Sequence, residues 1–232
     1  LKPGEIHALM GENGAGKSTL IKVITGVHKA EEGEMFINGQ KVSFKGPKDA
    51  QKMKIAAIYQ HVTAYPHLTV TENIFMGHEI VRNGRIQWKE MNKEASQLLE
   101  KLNADFSATD EMEALSVAQQ QMVEIAKALS MNANIFIMDE PTSALTKNES
   151  ERLYEITEKL RDDGAAIIFI SHRFEDVYRL ASRVTVFRDA KYIGTYDIDK
   201  ITEQELINAM VGREISELYP KPDVDIGEEV LR

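Results

Sequence analysis

The 232-residue chain contains no cysteine. That excludes a disulfide framework and thiolate metal sites, and it fits a reducing compartment. Long apolar runs are missing too. The longest, AAIIFI at 165–170, falls far short of the roughly 20 residues that span a bilayer as a helix. Positive charge is scarce: 28 Lys+Arg stand against 37 Asp+Glu, for a formal net charge of −9. With no basic arm, this balance argues against broad nucleic-acid binding. There is no internal repeat and no low-complexity segment. No basic-then-apolar leader opens the chain, which reads as no signal peptide. It begins at Leu1, almost inside a motif, and reads as a piece of something longer. The length suits one large domain, or a domain with a substantial insertion, able to bury a good core.

What is present is an alternation of short apolar strands and helices. EIHALM at 5–10 reads as a buried strand, and 17–25 as a helix closed by Gly26. In EMFINGQKVSF at 34–44, Asn38-Gly39 separates two alternating runs and predicts a hairpin. A strand follows at 55–59. From about 71 to 130 the pattern is helical, with helices at 89–102 and 117–130 and no convincing strand. Strands return at 134–138 and 165–170, and as a hairpin at 183–188 and 191–196, with helices near 148–161 and 174–181 between them. Such alternation implies an α/β fold with a mainly parallel sheet, a small antiparallel β part and an inserted helical subdomain. The tail from Arg213 is acidic and carries Tyr219-Pro-Lys-Pro222, a stiff linker composition.

Three pieces carry chemistry. GENGAGKS at 11–18 matches G-x-x-x-x-G-K-[ST] between a strand and a helix, the context the motif requires. Its glycines let the backbone curl so that N–H groups face phosphate oxygens, and the following helix adds its positive end. Lys17 is placed for the β- and γ-phosphates, and the Ser18 hydroxyl for Mg²⁺. In NIFIMDEPTSALT at 134–146, Asp139 and Glu140 stand at a strand's carboxyl end, the edge where open α/β sheets bind ligands. Asp139 is then placed to hold Mg²⁺, and Glu140 to orient or deprotonate an attacking water. His172 occupies the same edge after the next strand. The other histidines (His7, His28, His61, His67 and His78) have no such context and read as structural.

LSVAQQQMVEIAKALS at 115–130 poses a different question. Ser116-Val-Ala-Gln119 is a capping box, and Met122, Ile125, Ala126 and Leu129 form one apolar stripe toward the core. Gln120 and Gln121 are left without a role. The helix also starts uncharged, as an anion site does, although the chain already has its own phosphate loop.

The motif order GENGAGKS, YQ at 59–60, LSVAQQQ, IFIMDEPTSALT and ISH resembles that of ABC ATPase cassettes over essentially all of the chain. LTVTENIFMGHE at 68–79 and SHRFEDVYRLASRVTVFRDAKYIGT narrow the likeness to the first cassette of two-cassette monosaccharide importers of the ribose, galactose and xylose type. The resemblance implies a P-loop ATPase core at 1–60 and 131–212, a helical signature subdomain at 61–130, and a linker at 213–232 toward a second cassette. It implies that Gly11, Glu12, Asn13, Gly14, Ala15, Gly16, Lys17, Ser18 and Thr19 bind the phosphates of ATP. Ser18, Gln60 and Asp139 would hold Mg²⁺, and Glu140, His172 and Gln60 would act in catalysis. Leu115, Ser116, Val117, Ala118 and Gln119 would close over the ATP of the opposing cassette. The implied partners are that second cassette, integral membrane permease subunits and, indirectly, a periplasmic or extracellular sugar-binding protein, with no nucleic acid. The implied location is peripheral, on the cytoplasmic face of the cell membrane.

Three departures stand out. Val117-Ala118 replace the usual two glycines of the signature, and Thr146 replaces the usual aspartate after S-A-L. Only ten residues precede Gly11, so the usual adenine-stacking aromatic upstream of the loop is absent. GEEVLR at the end resembles the opening strand of a next cassette. Two other readings compete: a soluble ABC ATPase acting on ribosomes or nucleic acid, and a nucleotide-binding module with little hydrolysis of its own.

Overall fold

The structure, a computed structural model, describes residues 1–59 and 64–212. The elements run β1 (Ile6–Met10), α1 (Lys17–Ile24), β2 (Met35–Ile37), β3 (Gln40–Val42), α2 (Pro47–Lys52), β4 (Ile55–Ile58) and α3 (Val70–Phe75). They continue with β5 (Val81–Arg82), β6 (Arg85–Ile86), α4 (Trp88–Lys101), α5 (Val117–Ser130), β7 (Ile135–Asp139) and α6 (Lys147–Asp162). The last are β8 (Ala166–Ile170), α7 (Phe174–Leu180), β9 (Arg183–Arg188), β10 (Lys191–Asp197) and α8 (Glu203–Val211).

Six strands form one sheet in the order β10-β9-β1-β8-β7-β4, parallel throughout except for β10 on β9. Apolar side chains alternate to both faces, as strands covered on two sides require. Leu9, Ile55, Ile137 and Ile170 join Ile21 of α1 and Ala50 of α2 on one face. Ala8, Met10, Phe136, Met138 and Phe169 belong to the larger core on the other, with residues of α3 to α7. Helices α3, α4 and α5 pack on one another, and α5 also packs on β4. Among the described residues no helix is long and apolar enough to cross a membrane.

The expected hairpin at 34–44 forms as β2 and β3, with Asn38 and Gly39 at φ 50° and 77°. One expectation fails. The stretch from 71 to 130 does contain strands, because Asn83-Gly84 turns at φ 51° and 73° and pairs Val81 with Ile86 and Arg82 with Arg85. Its arms are two residues long and exposed, too short for an alternating pattern. The structure also adds α2, which starts at Pro47, and α8, which opens with a Thr202/Glu205 capping box and ends at Gly212 in the left-handed region.

Candidate functional site: three strand ends and a capped helix

The sheet order assembles the site. Because β8 lies between β1 and β7, their carboxyl ends bring the 11–18 loop, His172 and the Asp139-Glu140 pair side by side. Neighbouring strands stand about 4.8 Å apart. Two such spacings put the loop after β1 roughly 10 Å from the acidic pair, a gap suited to a phosphate chain.

Gly11 runs against β9 so closely that a Cβ there would lie 2.3 Å from the Phe187 carbonyl oxygen. Gly16 is the N-cap of α1 at φ 96°, a left-handed conformation that other residues adopt at a cost. No side chain caps α1, and the first N–H groups of any helix lack intrahelical acceptors. Ser18 and Thr19 are exposed there. The Lys17 ammonium donates to the carbonyls of Gly11 at 2.7 Å and Glu12 at 3.1 Å, folding back over its own loop. Burial pulls the Lys17 amine below its ordinary value, against the charges of Glu140 and Asp139. Burial, then the Glu140 charge, pushes the Asp139 carboxyl up, against Lys17.

Glu140 Oε1 lies 3.3 Å from His172 Nδ1, so the two end-of-strand residues meet. Glu140 is only partly buried, whereas the His172 side chain is 61% exposed. Glu140 has a φ of 49°, and such left-handed geometry costs a non-glycine residue about 1–3 kcal/mol unless its surroundings hold it. They do so on both sides. The Glu140 N–H donates to the Ile170 carbonyl at 2.9 Å, and its own carbonyl accepts from the Ser143 N–H at 3.2 Å.

Behind this edge lies a cluster the sequence reading missed. Asp176 of α7 is fully buried. Its carboxylate accepts from the Thr142 hydroxyl at 2.5 Å, from the Ser171 hydroxyl at 2.8 Å and from the Tyr154 hydroxyl. The Arg173 guanidinium stands 3.7 Å away. No motif spacing connects these residues. They come from α6, α7 and the loops after β7 and β8, and only the packing joins them.

The start of α5 is a separate place. Ser116 and Gln119 form the expected capping box, with the Gln119 N–H donating to Ser116 Oγ at 3.3 Å and the Ser116 N–H to Gln119 Oε1 at 2.9 Å. Gln119 Nε2 also donates to Asp105 at 3.0 Å, and Asp105 pairs with Arg152 of α6 at 3.2 Å. Glu149 of α6 is held below the ordinary glutamate value by the Thr146 N–H, the Thr146 hydroxyl and the Ser116 hydroxyl. The helix start is therefore uncharged in sequence but has two carboxylates against it in space. Leu115 is buried, while Ser116 and Val117 are exposed. Gln120 gains a role, donating to the carbonyls of Met112 and Leu115 at 3.2 and 3.1 Å. Gln121 is buried with its Oε1 unpartnered. Thr146, where an aspartate was expected, caps α6 through a box with Glu149.

Gln60 lies outside the described residues, as do His61 and the segment 213–232. Two histidines read as structural have ordinary partners. His7 lies between Glu5 and Thr185, and His78 contacts Ser130 and the Phe75 ring.

Known proteins share this fold. Ribose import ATP-binding protein RbsA 2 of Escherichia coli O157:H7 is 48% identical over 230 residues, covering 99% of this chain and 46% of that protein. Ribose import ATP-binding protein RbsA of Bacillus subtilis (strain 168) is 46% identical over 232 residues, 100% of this chain and 47% of that protein. The chain thus spans about half the length of the curated relatives it matches. A crystal structure of an ATP-binding cassette of an ABC transporter in its ADP conformation matches with a TM-score of 0.78 at 25% identity, covering 91% of this chain and 89% of that one. A dimeric post-hydrolysis state of an ATP-binding cassette bound to ADP and Pi matches with a TM-score of 0.72 at 27% identity, covering 85% of this chain and 87% of that one. The ABC transporter family matches over residues 1–143. With the phosphate loop, the acidic pair and His172 on adjacent strand ends of this fold, the chain belongs to the ABC transporter family.

Proposed function

We propose that the chain binds and hydrolyses ATP as one cassette of the subunit that energises sugar import. The observation that carries it is the meeting of Glu140 and His172 beside the strand that leads into the Lys17 loop. The sugar rests on the names of the ribose import relatives. The proposed division is an ATPase core of 1–60 and 131–212, a helical part of 61–130, and a linker of 213–232.

In this reading, N–H groups of residues 11–19 and the Lys17 ammonium hold the ATP phosphates. Ser18 and Asp139 are hard oxygen donors of the kind that Mg²⁺ takes alongside phosphates. Such an ion, when bound, supplies neutralisation of phosphate charge. The Glu140 carboxylate accepts a proton from the attacking water, and His172 holds Glu140 on one side and the γ-phosphate on the other. Gln60 would join the Mg²⁺ and water contacts. Leu115–Gln119 would close over the ATP of a second cassette once Ser116 and Gln119 exchange their present partners. The complex would sit peripherally on the cytoplasmic face of the membrane, on permease subunits supplied by a sugar-binding protein.

Glu140→Gln in the intact protein tests the reading. It removes the base but not the phosphate contacts, so ATP binding persists while hydrolysis falls on the order of 10²-fold or more. An unchanged turnover number would remove Glu140 from the chemistry.

A further inference from the structure

Asp176 is buried and unused by the chemistry above. It sits in the first turn of α7, and three hydroxyls from three different segments point at its carboxylate. Two of those segments are the ones that matter. Thr142 is two residues beyond Glu140, and Ser171 immediately precedes His172. Both are buried, at 2% and 3% exposure. Ser171 also accepts the Arg173 N–H at 3.0 Å, which fixes the turn that carries His172.

Each hydroxyl has a single proton, and each spends it on the same acceptor. The loop after β7 and the loop after β8 are thereby tied to one buried carboxyl group. The tie is needed because Glu140 is held in the left-handed region. Upstream, the sheet fixes it through the Ile170 carbonyl. Downstream, the chain passes Pro141 to Thr142, whose hydroxyl bond to Asp176 is the anchor. Without that anchor only the Ser143 N–H, 3.2 Å from the Glu140 carbonyl, holds the downstream side, and the 3.3 Å approach of Glu140 to His172 loosens.

We propose that Asp176 is a positioning residue for ATP hydrolysis: through the hydroxyls of Thr142 and Ser171 it sets the spacing of Glu140 and His172. The inference rests on the roles given to those two residues above. Asp176 is fully buried, and its contacts run to Thr142, Tyr154, Ser171 and Arg173 and not to the Lys17 loop. Its loss therefore lowers turnover while leaving nucleotide binding in place.

The test uses the complete native assembly and compares Asp176→Asn, Thr142→Val and Thr142→Ser with the parent. The Asn variant keeps the shape of the side chain but halves its accepting oxygens and removes its charge. The Val variant is isosteric with threonine and lacks only the hydroxyl. Three quantities are read for each: kcat for ATP, calorimetric affinity for a non-hydrolysable ATP analogue, and the thermal midpoint. Expected are a fall in kcat of about tenfold for Asp176→Asn and Thr142→Val, analogue affinity within about twofold of the parent, and kcat restored by Thr142→Ser. Should Asp176→Asn fail to fold, the two Thr142 variants decide alone. If Thr142→Val keeps the parental kcat while Glu140→Gln abolishes turnover, the positioning role is overturned and the assignment of Glu140 stands. If Glu140→Gln also turns over normally, the assignment of the site falls, and this inference falls with it.

Discussion

Helices α1 and α5 both begin without an acidic residue in the first turn, yet their starts are capped in different ways. Gly16 opens α1 in the left-handed region, no side chain caps it, and Lys17, Ser18 and Thr19 follow at once. Ser116 opens α5 with a reciprocal box, and Gln119 reaches on to Asp105. The first start presents its N–H groups. The second has its Gln119 N–H taken by Ser116, and has Asp105 and Glu149 drawn up beside it. An uncharged helix start in a sequence thus does not tell whether its groups already have partners. At α5 an anion would have to displace those of Ser116 and Gln119.

This contrast can be broken by mutation, and the largest effect is expected at α1. Lys17→Ala should weaken Mg-ATP binding on the order of tenfold or more while leaving the thermal midpoint nearly unchanged, since its bonds run only to its own loop. Equal affinity by calorimetry would remove Lys17 from the site. At α5 the order reverses. Ser116→Ala should cost about 0.5–2 kcal/mol of stability through the lost cap, read as a lower denaturation midpoint in urea. No change in stability would mean that the box closes nothing the helix needs.

The smallest effect is expected at Asp105, which is exposed. Its carboxyl is held below the ordinary aspartate value by the Gln119 amide, against the slight burial, and then by Arg152. A carboxyl lowered on folding adds stability above its unfolded pKa and loses it as the pH falls through its folded one. The gap between parent and Asp105→Asn should therefore be present at neutral pH, small because the pair is solvated, and absent in acid. A gap that widened as the pH fell would reverse the sign and break the link between Asp105 and the α5 cap.

Much of the site was legible residue by residue. The G-x-x-x-x-G-K-S stretch, the apolar run ending in Asp139-Glu140 and the S-x-x-Q box each work through neighbours within a few positions. Local spacing is sufficient for such features. The same capping signal stands in T-V-T-E at 69–72, T-K-N-E at 146–149 and T-E-Q-E at 202–205, and all three boxes form. The pair β5 and β6 was missed because its arms are too short for alternation to show, leaving Asn83-Gly84 as the only sign.

The sequence by itself determined most of the elements, the glycine-rich loop at 11–18 and the helix caps, because each depends on backbone preferences and contacts a turn or two apart. Tertiary structure alone decided which strand ends are neighbours. It set β8 between β1 and β7, so that His172 reaches Glu140 across 32 residues of chain, at 3.3 Å. It also buried Asp176 among hydroxyls 22 and 34 residues away and brought Asp105 and Glu149 to a helix start that lacks acids of its own. Hydrogen bonds and charges act over a few ångströms whatever the separation along the chain, and only the packed sheet and helices bring those distances about.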